Sequence, residues 1–121
     1  MKKVLIIDDS PFIAMEIKNI VTERGYEVIG HARSGEDGIK KFEELKPDFV
    51  TIDIIMPGID GIETAQRIRE IDPCARMIML SSLCDDATMK ELEAAELRHV
   101  VEKPIDAEKL IEELDVLSTM E

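Results

Sequence analysis

The chain has 121 residues, a length that suits a single domain with one hydrophobic core. Its 27 acidic and 15 basic residues give a net charge of −12, which disfavours nucleic acid and anionic membranes as direct partners. Hydrophobic residues make up 45% of the chain, as in ordinary globular proteins, and no apolar run reaches the roughly 18 residues of a membrane span.

Cysteine content and the N-terminal segment predict a cytoplasmic protein. The two cysteines, Cys74 and Cys84, fit no metal spacing, and reduced thiols are expected. The N-terminal segment MKKVLIIDDS has an apolar stretch too short for a signal peptide. We therefore expect residues 1–121 to form one cytoplasmic domain.

Five short apolar runs predict β-strands, at residues 4–7, 27–32, 48–53, 76–80 and 99–102. The first and fourth runs lack alternation, which is typical of buried central strands, whereas the more polar second and fifth runs suit the edges of a sheet.

A segment with helical spacing follows each run. Ser10 and Pro11 predict the start of the first helix, and Gly25 predicts its end. The other helices are predicted at about 35–46, 60–72, 85–96 and from 106 onwards. This alternation predicts an α/β fold, a doubly wound parallel sheet covered by helices on both faces. Four methionines are expected to fill the core: Met56, Met77, Met79 and Met89.

Carboxylates follow two of the predicted strands. Asp8 and Asp9 come after the first strand, and Asp53 ends the third. Ligands of such sheets bind beyond the carboxyl ends of the strands, so these side chains are expected at that edge, where they need not be buried in the core. Like charges about 4 Å apart repel by about 4 kcal/mol at an effective dielectric constant of about 20, which predicts a bound cation or a raised pKa. An all-oxygen set without His or Cys favours Mg²⁺ or Mn²⁺ over zinc.

Hydroxyl and ammonium groups are predicted at the same edge. Ser81 and Ser82 follow the fourth strand, and Lys103 follows the fifth. Such groups suit a phosphoryl group, because the metal and the lysine balance its charge and a hydroxyl donates to its oxygen. A carboxylate can carry the phosphoryl group as an aspartyl-phosphate.

Four motifs occur in order along the chain: DD at 8–9, DIIMPGIDG at 53–61, SS at 81–82 and KP at 103–104. With these motifs the chain resembles, over nearly its whole length, a receiver domain of the two-component response regulators, and closely the single-domain chemotaxis type. The resemblance implies a flavodoxin-like sheet of order 2-1-3-4-5. It also implies a Lys103–Pro104 peptide that is often cis.

The resemblance implies a role for each residue of the motifs. Asp53 would be phosphorylated by a sensor histidine kinase, with Ser81 as the switch hydroxyl and Lys103 in contact with the phosphoryl group. Mg²⁺ would be held by Asp8, Asp9, Asp53 and the backbone carbonyl of Ile55. The protein would then be a phosphoacceptor switch that promotes its own phosphorylation and dephosphorylation, not an ordinary enzyme. Its fourth helix, fifth strand and fifth helix would contact a downstream protein or output domain.

Some positions depart from the family pattern. Val100 replaces the usual aromatic residue three positions before the lysine, and Glu96-Leu97 replaces Gly-Ala. These changes leave open the alternative that the protein is an adaptor, which binds its partners without being phosphorylated. Apolar Ile55 and Leu83 predict a long-lived aspartyl-phosphate, and Leu83→Asn or Leu83→Glu should speed its hydrolysis.

Simpler interpretations exist for each residue taken singly. Asp9 could be no more than a helix cap, Asp53 could be a turn residue and Lys103 could be a solvated side chain. His31 and His99 are expected to be structural or solvated. Neither an aspartyl phosphatase nor a flavin-binding flavodoxin fits the sequence well. The segment DDSPF lacks the D-x-D pattern of the first class and the phosphate-binding loop of the second. The kinase, the target, the pathway and the oligomeric state stay open.

Overall fold

The computed structural model describes residues 2–82 and 85–119. Strands and helices alternate, and their bounds are β1 (Lys2–Ile7), α1 (Pro11–Glu23), β2 (Tyr26–Ala32), α2 (Gly35–Leu45), β3 (Phe49–Asp53), α3 (Gly61–Ile71), β4 (Met77–Ser81), α4 (Asp86–Ala94), β5 (Val100–Glu102) and α5 (Ala107–Thr119). The five strands form one parallel sheet of order β2-β1-β3-β4-β5, which confirms the predicted fold. No described helix has the length and apolar character needed to cross a membrane.

Burial follows the position of each strand in the sheet. Every residue of β3 and β4 is buried, whereas the edge strand β2 is mostly only partly buried. Alternate residues of the central strands face opposite sides. On one side, Val50 and Ile52 pack in a cluster that includes residues of α2 and α3. On the other, Phe49 packs in a cluster that includes residues of α1 and α5. The sheet is therefore covered on both faces, as the apolar runs predicted.

Local sequence signals explain the bounds of α1. The Ser10 hydroxyl accepts a hydrogen bond from the Ile13 N–H at 3.3 Å, and Pro11 is the first helical residue. Gly25, just past the C-cap, has a φ of +89°, a conformation that glycine adopts without a steric penalty. The predicted start and end of the first helix are confirmed.

Two predictions about individual elements were wrong. β1 begins two residues earlier than expected, because exposed Lys2 and Lys3 still pair with β2. Met89 is 42% exposed and does not belong to the core, since α4 is short and Leu92 is its buried residue. The other three methionines are buried as predicted.

Candidate functional site

Three carboxylates meet beyond the carboxyl ends of β1 and β3. Asp8, Asp9 and Asp53 each offer an oxygen atom, and these atoms lie within 4.8 Å of one another. Asp8 is fully buried and Asp53 is 6% exposed, whereas Asp9 is more open to solvent. An all-oxygen set of this kind fits the preferences of Mg²⁺ or Mn²⁺.

Asp8 has a hydrogen-bond partner for each of its polar groups. Its N–H donates to the Ala32 carbonyl at 2.9 Å, and its carbonyl oxygen lies 2.8 Å from His31 Nε2. Its Oδ1 accepts from the Ser10 N–H at 2.8 Å, and its Oδ2 accepts from Lys103 Nζ at 3.3 Å. Because a buried polar group is costly when unpaired, this set of bonds explains how a carboxylate is held inside the fold.

The ammonium group of Lys103 links two of the carboxylates. Its Nζ lies 3.2 Å from Asp53 Oδ1 and 3.3 Å from Asp8 Oδ2, and the side chain is only 16% exposed. The backbone holds this position, because the Lys103 N–H donates to the Ser81 carbonyl at 2.8 Å. The Lys103–Pro104 peptide is cis, as the family resemblance implied.

Two opposing influences act on the Asp53 carboxyl group. Burial, followed by the charge of Asp8, raises its pKa above the ordinary value of 3.8. Lys103 and a hydrogen bond from the backbone N–H of Ile55 lower the pKa, but do not cancel the rise. The site therefore holds one carboxylate whose ionised form is destabilised until a further positive charge arrives.

A close backbone approach joins β3 to the start of α3. The Gly61 N–H donates to the Ile54 carbonyl at 2.8 Å. A Cβ atom at Gly61 would lie 2.2 Å from the Asp53 carbonyl oxygen, so this position excludes any side chain. Gly61 belongs to a motif quoted above, but its role depends on a contact that the sequence does not reveal.

The remaining predicted residues lie at or near this edge. Ser81 ends β4 and is 1% exposed, one residue beyond Leu80, which pairs with Asp53. Ile55 is 53% exposed, while its backbone N–H donates a hydrogen bond to the Asp53 carboxylate. Leu83 and Cys84 lie outside the described residues, so the expected effect of Leu83 on hydrolysis stays a prediction.

His31 and His99 both have specific polar partners. The carbonyl of Asp8 can only accept, so His31 Nε2 carries the proton of that bond. His99 Nδ1 lies 2.7 Å from Glu113 Oε2 on α5. Val100, beside His99, is partly buried and packs against the core. The structural interpretation of both histidines is therefore correct, but their partners are distant in sequence and were not predicted.

Comparisons with known proteins agree with the fold and show the family. Residues 4–115 match the family model described as the response regulator receiver domain. The chain is 40% identical over 117 residues to the chemotaxis protein CheY of Thermotoga maritima, covering 97% of this chain and 98% of that one. It is 37% identical to CheY of Listeria monocytogenes, covering 95% and 97% of the two chains.

Solved structures give the same result. A chain of the CheX-CheY-BeF3-Mg complex from Borrelia burgdorferi superposes with a TM-score of 0.91 at 32% identity, covering 98% of this chain and 90% of that one. The response regulator domain of Thermotoga maritima CheB superposes with a TM-score of 0.89 at 32% identity, covering 100% and 98%. With its acidic cluster, its lysine and its sheet order, the chain therefore belongs to the response regulator receiver domain family.

Proposed function

We propose that this receiver domain accepts a phosphoryl group on Asp53 from a sensor histidine kinase, with Mg²⁺, and changes its surface in response. CheY-type receivers are phosphoacceptor switches rather than ordinary enzymes, and they interact with histidine kinases and downstream targets. The observation that carries the proposal is the position of Lys103, whose ammonium group lies between the buried carboxylates of Asp8 and Asp53.

The acidic cluster supports a divalent metal site. Receiver domains bind Mg²⁺ at an acidic pocket, and the present cluster could hold such an ion. We assign its ligands to Asp8, Asp9, Asp53 and the backbone carbonyl of Ile55. A bound Mg²⁺, or Mn²⁺ in its place, supplies positive charge for the oxygens of an incoming phosphoryl group. The Borrelia complex, whose description includes Mg²⁺ and BeF3, supports a metal site in a receiver of this fold.

The protein groups supply the nucleophile and its orientation. An ionised Asp53 oxygen attacks phosphorus, forming the aspartyl-phosphate as the bond from phosphorus to the histidine nitrogen of the kinase breaks. Lys103 favours the ionised carboxylate before the reaction and contacts a phosphoryl oxygen afterwards. Ser81, at the end of β4, donates its hydroxyl to a second phosphoryl oxygen. The domain would thus promote its own phosphorylation and dephosphorylation.

Phosphorylation adds a charge of about −1.5 to −2 and three strong acceptor oxygens, which bias a two-state surface. We assign this surface to α4, β5 and α5, as the site of a downstream protein or output domain. Val100 and Glu96, at positions where the family usually has an aromatic residue and glycine, favour a second candidate. That candidate is an adaptor that binds its partner without phosphorylation.

Intact mass after incubation with acetyl phosphate tests the proposal. Wild-type protein with Mg²⁺ should gain one phosphoryl group, and Asp53→Asn should gain none. Asp86→Asn, which alters an exposed carboxylate of α4, is the control and should react like the wild type. A wild-type chain that gains no mass with Mg²⁺ would favour the adaptor, and gain by Asp53→Asn would assign the phosphoryl group elsewhere.

A further inference from the structure

A cavity of about 490 Å³ opens beside the N-terminal end of β4, at the end of the sheet opposite to the acidic cluster. Met77 begins β4 and lines this cavity, whereas the phosphoacceptor edge lies past Ser81 at the other end of the strand. The connection between α4 and β5 and the C-terminal part of α3 also contribute to its walls. No residue of the acidic cluster lines it, so it is a separate feature of the molecule.

The lining of the cavity is basic, although the chain as a whole is strongly acidic. Three of the 15 Lys and Arg residues and one of the two histidines line it, namely Arg69, Arg76, Arg98 and His99. Glu96 is the acidic residue among its lining side chains. Gathering cations from separate segments of the chain is unfavourable unless negative charge balances them, which is the converse of the carboxylate argument above.

Three of these four residues are fixed by other contacts. Arg69 donates to the carbonyl oxygen of Ala95 at 2.7 Å and to that of Glu96 at 3.0 Å. The Arg76 guanidinium carbon lies 5.8 Å from the centre of the Phe49 ring, and His99 pairs with Glu113 of α5. The walls are thus held by bonds within the protein, and the cavity is preformed.

Arg98 differs from these residues. Its side chain is exposed, and within residues 2–82 and 85–119 it has no ion pair or hydrogen bond. Its guanidinium group is therefore available for a ligand. The residue two positions before it, Glu96, follows the C-cap of α4 with a φ of +56°, the left-handed conformation that commonly ends a helix.

We propose that this cavity binds a small organic anion, a phosphate monoester or a carboxylate carried on an apolar body. A guanidinium group binds either oxyanion through paired hydrogen bonds, and Arg98 supplies that group. Met77 and Leu97 are buried apolar residues of the lining that offer surface to the rest of the ligand. The volume falls in the range of small-molecule sites, about 300–1,000 Å³.

Titration followed by amide chemical shifts tests the proposal. Phenyl phosphate, benzoate and inorganic phosphate are each added to the full chain in EDTA, which keeps metal-assisted binding at the aspartates out of the measurement. At least one aromatic anion should cause saturable shifts at residues 74–77 and 96–99, with a dissociation constant of about 1 mM or tighter. The aromatic anion that binds more tightly identifies the oxyanion that the cavity prefers. Weaker binding of inorganic phosphate than of phenyl phosphate shows that the apolar part of the ligand contributes to affinity.

Two matched variants complete the experiment. Arg98→Ala should weaken binding by about tenfold or more, because one bidentate contact is lost. Arg67→Ala removes an exposed arginine of α3 that pairs with Glu63 outside the cavity, and should leave binding unchanged. Shifts that stay linear to about 10 mM, shifts spread over the surface, or equal losses in the two variants would overturn the proposal. Shifts that appear only with an added acidic peptide would overturn it in favour of a protein ligand.

Discussion

The Nε2 atom of His31 lies 2.8 Å from the backbone carbonyl oxygen of Asp8 and donates to it. His31 belongs to the edge strand β2, while Asp8 starts the loop between β1 and α1 that carries two of the three acidic residues. The imidazole thus fixes the backbone of that loop from a neighbouring strand. We assign to His31 a positioning role, comparable with residues that orient the ligands of metal sites.

Replacing His31 should weaken Mg²⁺ binding without preventing folding. His31→Ala leaves the Asp8 carbonyl without its donor, and we expect an affinity about tenfold lower, as for other residues that orient metal ligands. His31→Gln keeps an N–H donor and should restore much of the affinity. Calorimetric titration with Mg²⁺ measures both variants. His99→Ala, which alters the histidine paired with Glu113, is the control, and equal losses in all three variants would disprove the positioning role.

The raised pKa of Asp53 predicts how stability depends on pH in metal-free buffer. Because the folded-state pKa lies above the unfolded value of 3.8, ionisation of this group destabilises the folded protein at neutral pH. Asp53→Asn should therefore have a higher thermal midpoint than the wild type at pH 7 in EDTA. The difference should shrink as the pH falls through the raised pKa, because the wild type then regains that stability.

Thermal unfolding of both proteins between about pH 3 and 8 measures this difference. Glu112→Gln, an exposed change on α5, serves as the control for a general effect of charge. A stability difference that stays constant with pH, or one that grows on acidification, would contradict the assigned direction of the Asp53 pKa.

Two buried threonines should respond in opposite directions to the same substitution. Thr51 is fully buried in β3, and its hydroxyl has no partner among the described residues. Thr51→Val should stabilise the protein by about 1 kcal/mol, because it removes an unsatisfied hydroxyl at nearly constant volume. Thr64 is also fully buried, but its hydroxyl donates to the Asp60 carbonyl at 2.7 Å, so Thr64→Val should destabilise by about 1 kcal/mol.

Urea unfolding of both variants provides the measurement, and each variant is the control for the other. The same sign of change in the two variants would show that the hydrogen-bonding state of the hydroxyl does not determine the outcome.

Gly61→Ala should destabilise the protein by several kcal/mol, on the order of the largest single-residue effects. The new Cβ would lie 2.2 Å from the Asp53 carbonyl oxygen and would displace either β3 or the start of α3. Gly25→Ala is the matched control. Its φ of +89° is unfavourable for alanine, but nothing lies within 4 Å of the new atom, so we expect a loss of only about 1 kcal/mol. Chemical denaturation measures the free energy of unfolding of both variants. Similar losses of stability in Gly61→Ala and Gly25→Ala would exclude the steric explanation.

The sheet and the acidic cluster were predictable because both depend on short stretches of sequence. β3 and β4 are buried on both faces and are mostly apolar in sequence, although Thr51 interrupts the apolar residues of β3. Asp8, Asp9 and Asp53 directly follow or end such runs, so the parallel topology alone brings them to one edge. The capping residues of α1 are equally local.

Other features depend on residues that the fold brings together from distant positions. The bond from His31 to Asp8 and the contact of Gly61 with β3 require the relative placement of elements, which periodicity does not specify. The exposure of Met89 depends on how short α4 is and how it lies on the sheet. The complete burial of Asp8 required knowledge of all its partners, since a carboxylate is buried only when each oxygen is paired.

The ion pair between Lys103 and Asp8 joins residues that are 95 positions apart. During synthesis, the aspartates leave the ribosome long before the lysine that neutralises part of their charge. A nascent chain that ends before β5 therefore carries the acidic cluster without its cation, and cannot form the site as the folded protein has it. The arrangement of this site is in this way tied to completion of the last strand, because Lys103 follows β5 directly.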